Sequence, residues 1–106
     1  MEFQEIVKRA MEVRYQYDKF NQKTVGEKWG QSQIMEGFVG DVGELMQLVM
    51  AKEGWREIND VDEKIKHELA DCLWSLLVLA NGYNINLEKE FLDTMKKLED
   101  KIEDKR

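Results

Sequence analysis

No proline interrupts the 106 residues of this chain, which removes the commonest stop to a long helix. Apolar residues then recur at helical spacing almost from end to end. Phe3, Ile6, Val7, Ala10, Met11, Val13, Tyr17 and Phe20 mark a first helix from Phe3 to Asn21. A loop from Gln22 to Gly30, containing Gly26 and Trp29, leads to a second helix, Gln31 to Glu53, with Ile34, Phe38, Leu45 and Leu48 as its inner stripe. Gly54 is a good C-terminal stop. Asp60 follows a short loop as a plausible N-cap, and Glu63 would complete an acidic capping box. The third helix, Val61 to Ala80, is apolar almost all round in its second half and is expected to be the most buried. Asn81-Gly82 should end it. Asn86 should cap a fourth helix that runs to Asp104 with Phe91, Met95, Leu98 and Ile102 inward.

There is no linker, repeat or low-complexity stretch, so the expectation is a single all-α domain over residues 1–106: four helices in an antiparallel bundle. A chain this short buries only a modest core. The third helix is apolar on more sides than two neighbours can cover. Homo-oligomerisation, to a dimer or tetramer, is therefore expected to complete the bundle.

Twenty-two acids against 16 bases give a formal net charge of -6. That balance argues against a nucleic-acid partner held by a basic surface. Cys72 is the one cysteine, lies in an apolar run and reads as a small core residue. The apolar run Leu69 to Ala80 carries Asp71 and is too short to span a bilayer, and no basic-then-apolar leader opens the chain. A cytoplasmic protein with no membrane partner is expected.

Two acidic pairs interrupt this apolar pattern. Asp41 with Glu44, and Glu68 with Asp71, each have i, i+3 spacing, so each pair lies on one side of its helix. Both are embedded in apolar sequence, and carboxylates against apolar surface are costly unless neutralised. The short loop between the second and third helices makes them antiparallel, so facing residues have position numbers with a constant sum, about 114 for a hairpin centred near residue 57. Asp41 with Asp71, and Glu44 with Glu68, both fall two positions short of it, about 3 Å of helix rise. All four carboxylates should sit at one level, across the roughly 8–10 Å that separates packed helices. An oxygen-only set without histidine suits Mg²⁺ or Mn²⁺. A di-iron bundle would show Glu-x-x-His, and zinc would want Cys or His. The only histidine, His67, precedes Glu68 directly and points elsewhere on the helix. Gly37, Gly40 and Gly43 each cost the helix about 1 kcal/mol relative to Ala. Close approach of another helix, or room for a phosphate-bearing ligand, would compensate.

The segments Gly40-Asp41-Val42-Gly43-Glu44-Leu45 and Glu68-Leu69-Ala70-Asp71-Cys72-Leu73-Trp74 resemble the MazG-like nucleoside triphosphate pyrophosphohydrolases. These are all-α enzymes with E-x-x-E on one helix and E-x-x-D on the next. The likeness runs roughly from Trp29 to Ala80. Two departures stand out: Asp41 takes the place of the usual first Glu, and Gly40 stands where many members carry a further Glu. The resemblance implies hydrolysis between the α and β phosphates of a nucleoside triphosphate, giving the monophosphate and pyrophosphate, in a nucleotide house-cleaning role. It implies Mg²⁺ on Asp41, Glu44, Glu68 and Asp71, with Glu44 and Glu68 as candidate catalytic bases. Lys28, Lys52, Arg56 and Lys64 are candidates for offsetting phosphate charge. Trp29 could stack on a base, and Ser75 and Asn21 could touch a phosphate or sugar. A phosphoribosyl-ATP pyrophosphohydrolase-like enzyme and a non-catalytic metal-binding helical dimer stand as alternatives.

Overall fold

The structure, a computed structural model, describes residues 2–24 and 30–104. Among them are four α-helices and no strand: α1 (Phe3–Thr24), α2 (Gln31–Lys52), α3 (Val61–Gly82) and α4 (Leu87–Asp104). The all-α expectation holds. Trp29 and Lys28 lie outside the described residues.

Helix ends follow from backbone hydrogen bonding. At the start of α2 the Gly30 N–H donates to Gln33 Oε1 at 2.8 Å, so a side chain three residues on satisfies an otherwise orphaned amide. Gly54, at φ 91°, ends the helix: its N–H donates to the Ala51 carbonyl and the Trp55 N–H to that of Met50, a Schellman closure. The left-handed turn needs a residue without a Cβ penalty, and glycine supplies it.

Two helix ends run past the sequence expectation, α1 by three residues to Thr24 and α3 by two to Gly82, and one expected cap does not form. Helix α3 continues through Asn81-Gly82, and Asn84, at φ 58°, takes the left-handed position instead. The Ile85 N–H donates to the Ala80 carbonyl at 2.8 Å and the Asn84 N–H to that of Asn81. Gly82 serves packing, not termination. A Cβ there would collide with the Gln31 side chain, whose Nε2 donates to the Leu79 carbonyl at 3.1 Å and ties the start of α2 to the end of α3. Asp60 does occupy the N-cap position of α3, but its backbone is left-handed (φ 55°) and its side chain makes no capping hydrogen bond. An N-cap side chain reaches the first-turn amides from extended backbone, so the expected capping box does not form. Glu63 pairs with Lys66 at 2.9 Å instead.

Helices α2 and α3 are the principal packed pair, and α1 lies on α3. Trp74 fastens that second contact: its Nε1–H donates to the Ala10 carbonyl at 3.1 Å, and its ring meets that of Tyr17 with centroids 6.0 Å apart. The core is small: Ala10, Ile34, Leu48, Cys72, Leu77, Val78 and Ala80. The Cys72 thiol is buried, and desolvation, reinforced by the nearby Asp41, Glu68 and Asp71 carboxylates, raises its pKa. Asn86 caps α4 as expected, accepting from the Lys89 N–H at 3.1 Å. The rest of α4 departs from expectation. None of its residues is buried, and Phe91, Leu98 and Ile102, expected inward, are exposed. Among the described residues no other helix lies over that stripe to bury it. No helix among the described residues is long and apolar enough to cross a membrane.

Candidate metal centre

The antiparallel α2–α3 hairpin brings Asp41, Glu44 and Glu68 together, with one carboxylate oxygen from each within 4.8 Å of the others. Glu68 is buried, Asp41 half-buried and Glu44 exposed, so the cluster is open at the Glu44 edge and closed at Glu68. Asp71, the fourth acid, is not part of this trio. Its Oδ2 lies 3.2 Å from His67 Nε2, one helical turn back. The sequence expectation set His67 apart from the acids, but i, i+4 spacing delivers it to Asp71, and it lines the same groove as Asp41. Asp71 still acts on the cluster through its charge, which bears on both Asp41 and Glu68.

Burial pushes the Glu68 carboxyl above its ordinary value. A hydrogen bond with Glu44 and the charges of Asp41, Glu44 and Asp71 push it further. Asp41 is raised too, by burial first and then by the Asp71 and Glu44 charges, partly offset by His67 and by a hydrogen bond with Glu68. Each shift has the same origin: like charges are held together where water is scarce.

The donor set fits a hard divalent cation. Glu68 Oε2 is buried and has no hydrogen-bond partner. Leaving a buried carboxylate oxygen unpaired costs about 1–3 kcal/mol or more, and a cation at the trio would satisfy it. Three carboxylate oxygens without Cys or His among them match Mg²⁺ or Mn²⁺ preference.

The pKa directions fix a pH response. Glu68 and Asp41 are both raised in the folded chain, so the cation-free fold takes up protons more readily than the unfolded chain. Their destabilising effect is full above the folded pKa values and fades as pH falls toward the ordinary values of 4.5 and 3.8. In the presence of a chelator, the thermal midpoint is expected to rise as pH is lowered through the region just above 4.5, and Glu68→Gln should flatten that rise. A midpoint that falls monotonically there in wild type, with the same slope in the variant, would contradict it.

Beside the carboxylates lies a groove of about 480 Å³, within the usual range for small-molecule sites. Asp41 and Ile34 of α2 form one wall, and His67, Ala70, Asp71 and Trp74 of α3 the floor. Val13, Arg14, Tyr17, Asp18 and Asn21 of α1 form the other wall. Asn21, a candidate from the sequence, is buried and lines this groove. Ser75 is also buried, only 4 % exposed, and is not among the groove's lining residues. Lys52 bonds Asp62 at 2.6 Å and Arg56 bonds Gln47 at 3.1 Å, near the hairpin turn. Lys52 stands eleven positions beyond Asp41, about 16 Å of helix rise. Added Cβ atoms at Gly37, Gly40 and Gly43 would meet nothing within 4 Å, so among the described residues no helix approaches them closely.

Apart from Asn21, sequence reasoning missed the α1 wall. Arg14 Nε lies 3.1 Å from Asp18 Oδ1, with both side chains largely buried. The visible signal was an i, i+4, i+7 run of Arg14, Asp18 and Asn21 flanking the apolar stripe. A polar run alone reads as a solvated face. Only the packing of α1 on α3 turns it into a groove wall.

No curated protein and no solved structure matches the chain. The family model described as the MazG nucleotide pyrophosphohydrolase domain matches residues 30–104, taking in α2, α3 and α4 together with both acidic pairs. With the carboxylate hairpin inside a match that covers most of its length, the chain belongs to the MazG nucleotide pyrophosphohydrolase domain family.

Proposed function

We propose that this chain is a Mg²⁺-dependent pyrophosphohydrolase that converts a nucleoside triphosphate to its monophosphate and pyrophosphate, in removal of unwanted nucleotides. The observation that carries this reading is the carboxylate trio, with its unpartnered Glu68 oxygen, beside a groove of nucleoside size. Asp41, Glu44 and Glu68 would hold the cation, and Asp71 adds negative charge beside them. When bound, the cation would neutralise phosphate oxygens and lower the pKa of a water for in-line attack. Glu44, the exposed member of the trio, is the group best able to take that water's proton. Glu68 is the other candidate base, and its unpartnered Oε2 also suits it to hold the cation. Tyr17 and Trp74 give the groove an aromatic end suited to a base, and Asn21 offers both a donor and an acceptor.

Assay of pyrophosphate release over a panel of nucleoside triphosphates and phosphoribosyl-ATP, with Mg²⁺ and with chelator, tests the reading. Release from a triphosphate, dependent on Mg²⁺ and lost in Glu44→Gln, is expected. Preference for phosphoribosyl-ATP would move the chain to histidine synthesis. Cation binding with no turnover of any substrate would make the cluster structural.

A further inference from the structure

We propose that α1 reads the base of the bound nucleotide through Asp18 and Asn21, and that this pair selects bases carrying an exocyclic amine over uracil and thymine. The inference rests on the nucleotide reading above and adds to it the class of base. Asp18 and Asn21 are three positions apart, so they share one side of α1, with Cβ atoms about 5–6 Å from each other. Both line the groove. Neither is an ordinary solvated side chain. Asn21 is 8 % exposed, and its amide makes no hydrogen bond to another described residue. The Asp18 carboxylate is held in place by Arg14, whose Nε–H donates to Oδ2 at 3.3 Å. Its Oδ1, 3.1 Å from the same nitrogen, is buried and accepts no hydrogen bond. Polar groups withdrawn from water without partners are costly, and a ligand that pairs with them recovers that cost.

The partner is argued from the chemistry of base edges. Trp74 lies in the groove floor, with its ring fixed by the bond to the Ala10 carbonyl and set against Tyr17. A base stacked on that ring turns its edge toward a groove wall. An ionised carboxylate only accepts. Cytosine and adenine offer it an amine N–H, and beside the amine a bare ring nitrogen that the Asn21 Nδ2–H can reach. Guanine offers its amine and ring N–H to the carboxylate and its carbonyl to Asn21. Uracil and thymine carry a single ring N–H between two carbonyl oxygens, so a carboxylate at that edge meets oxygen on either side. Asn21 alone would not discriminate, because its amide can turn to present donor or acceptor. Asp18 makes the choice, and Arg14 positions it.

Cytidine and uridine nucleotides differ only at this edge and serve as the probe. Calorimetric titration of the full chain with the two monophosphates, and kcat/KM for the two triphosphates with Mg²⁺, provide the test. Cytidine is expected to be favoured by about ten- to hundredfold in both, the discrimination of a well-made pair of hydrogen bonds to a base. In Asp18→Asn the ratio should fall toward one, chiefly because uridine monophosphate binds more tightly than it does to wild type. A damaged fold would weaken both nucleotides, so it cannot imitate that gain. If this variant does not fold, Asn21→Ser, which leaves the Arg14–Asp18 pair in place, should weaken cytidine monophosphate by about tenfold and uridine monophosphate by less. Equal affinity for the two monophosphates in wild type, or a preference for uridine, overturns the inference. So does a folded Asp18→Asn that keeps the wild-type ratio. The two measurements separate this inference from the activity it rests on. Equal turnover of both triphosphates sinks base selection alone. Cytidine preference in binding, with no triphosphate turned over, sinks the activity and leaves the base reading standing.

Discussion

Glu68→Gln is expected to stabilise the cation-free protein while abolishing its response to Mg²⁺. The two effects have one cause. In the absence of a cation, the buried Glu68 carboxylate faces Asp41, Glu44 and Asp71 and leaves Oε2 unpaired. An amide of the same shape removes one charge from that crowd, so the thermal midpoint in chelator should rise. The wild-type cluster recovers its cost only when a cation links the oxygens. A ligand that binds the folded form alone at about 100 times its Kd adds about 2.7 kcal/mol. That Mg²⁺-induced gain should be present in wild type and largely absent in Glu68→Gln. Pyrophosphate release should fall by about a hundredfold or more, the scale expected when one charge-stabilising group is removed from a reaction centre. Thermal unfolding of both proteins with chelator and with Mg²⁺ reads the first pair of effects, and the release assay reads the last. A variant that keeps the full Mg²⁺ shift would remove this trio as the metal centre.

Leu77→Ala is expected to be the most damaging single truncation away from the groove. Leu77 is 3 % exposed, on the side of α3 toward α1, beside Phe3, Val7 and Ala80. Removing a buried leucine side chain costs about 2–5 kcal/mol, because the cavity left behind adds to the lost transfer energy. Domains of this size have only about 5–15 kcal/mol in total. This core is smaller than usual, with seven buried apolar residues among those described, so neighbours have little mass with which to collapse into the gap. A drop of the thermal midpoint by more than about 10 °C follows at a fixed protein concentration. In denaturant titration the midpoint should fall while the slope stays unchanged. A loss under about 1 kcal/mol would mean that the α1–α3 contact contributes little to the fold.

What the sequence determined by itself is what depends on local spacing. Helical periodicity with no proline fixed four helices, and hydrogen bonding within one turn fixed the stop at Gly54 and the cap at Asn86. The short turn after α2 forced the hairpin antiparallel, and that alone placed Asp41 and Glu44 opposite Glu68. Tertiary structure decided the rest. Asp71 has a local partner in His67 one turn back, and which of the four acids form the trio is set by how α3 packs on α2. Asp60 lost its capping role because the turn it belongs to demanded a left-handed backbone. Gly82 lies within α3, where the Gln31 side chain of α2 occupies the space a Cβ would take, and the left-handed turn falls at Asn84. The groove exists only where α1 crosses α3, and Arg14, Asp18 and Asn21 become its wall by that crossing. The stripe on α4 was legible in the sequence, but a stripe does not name its partner. Burial is a property of two surfaces, and a single chain's sequence specifies one of them.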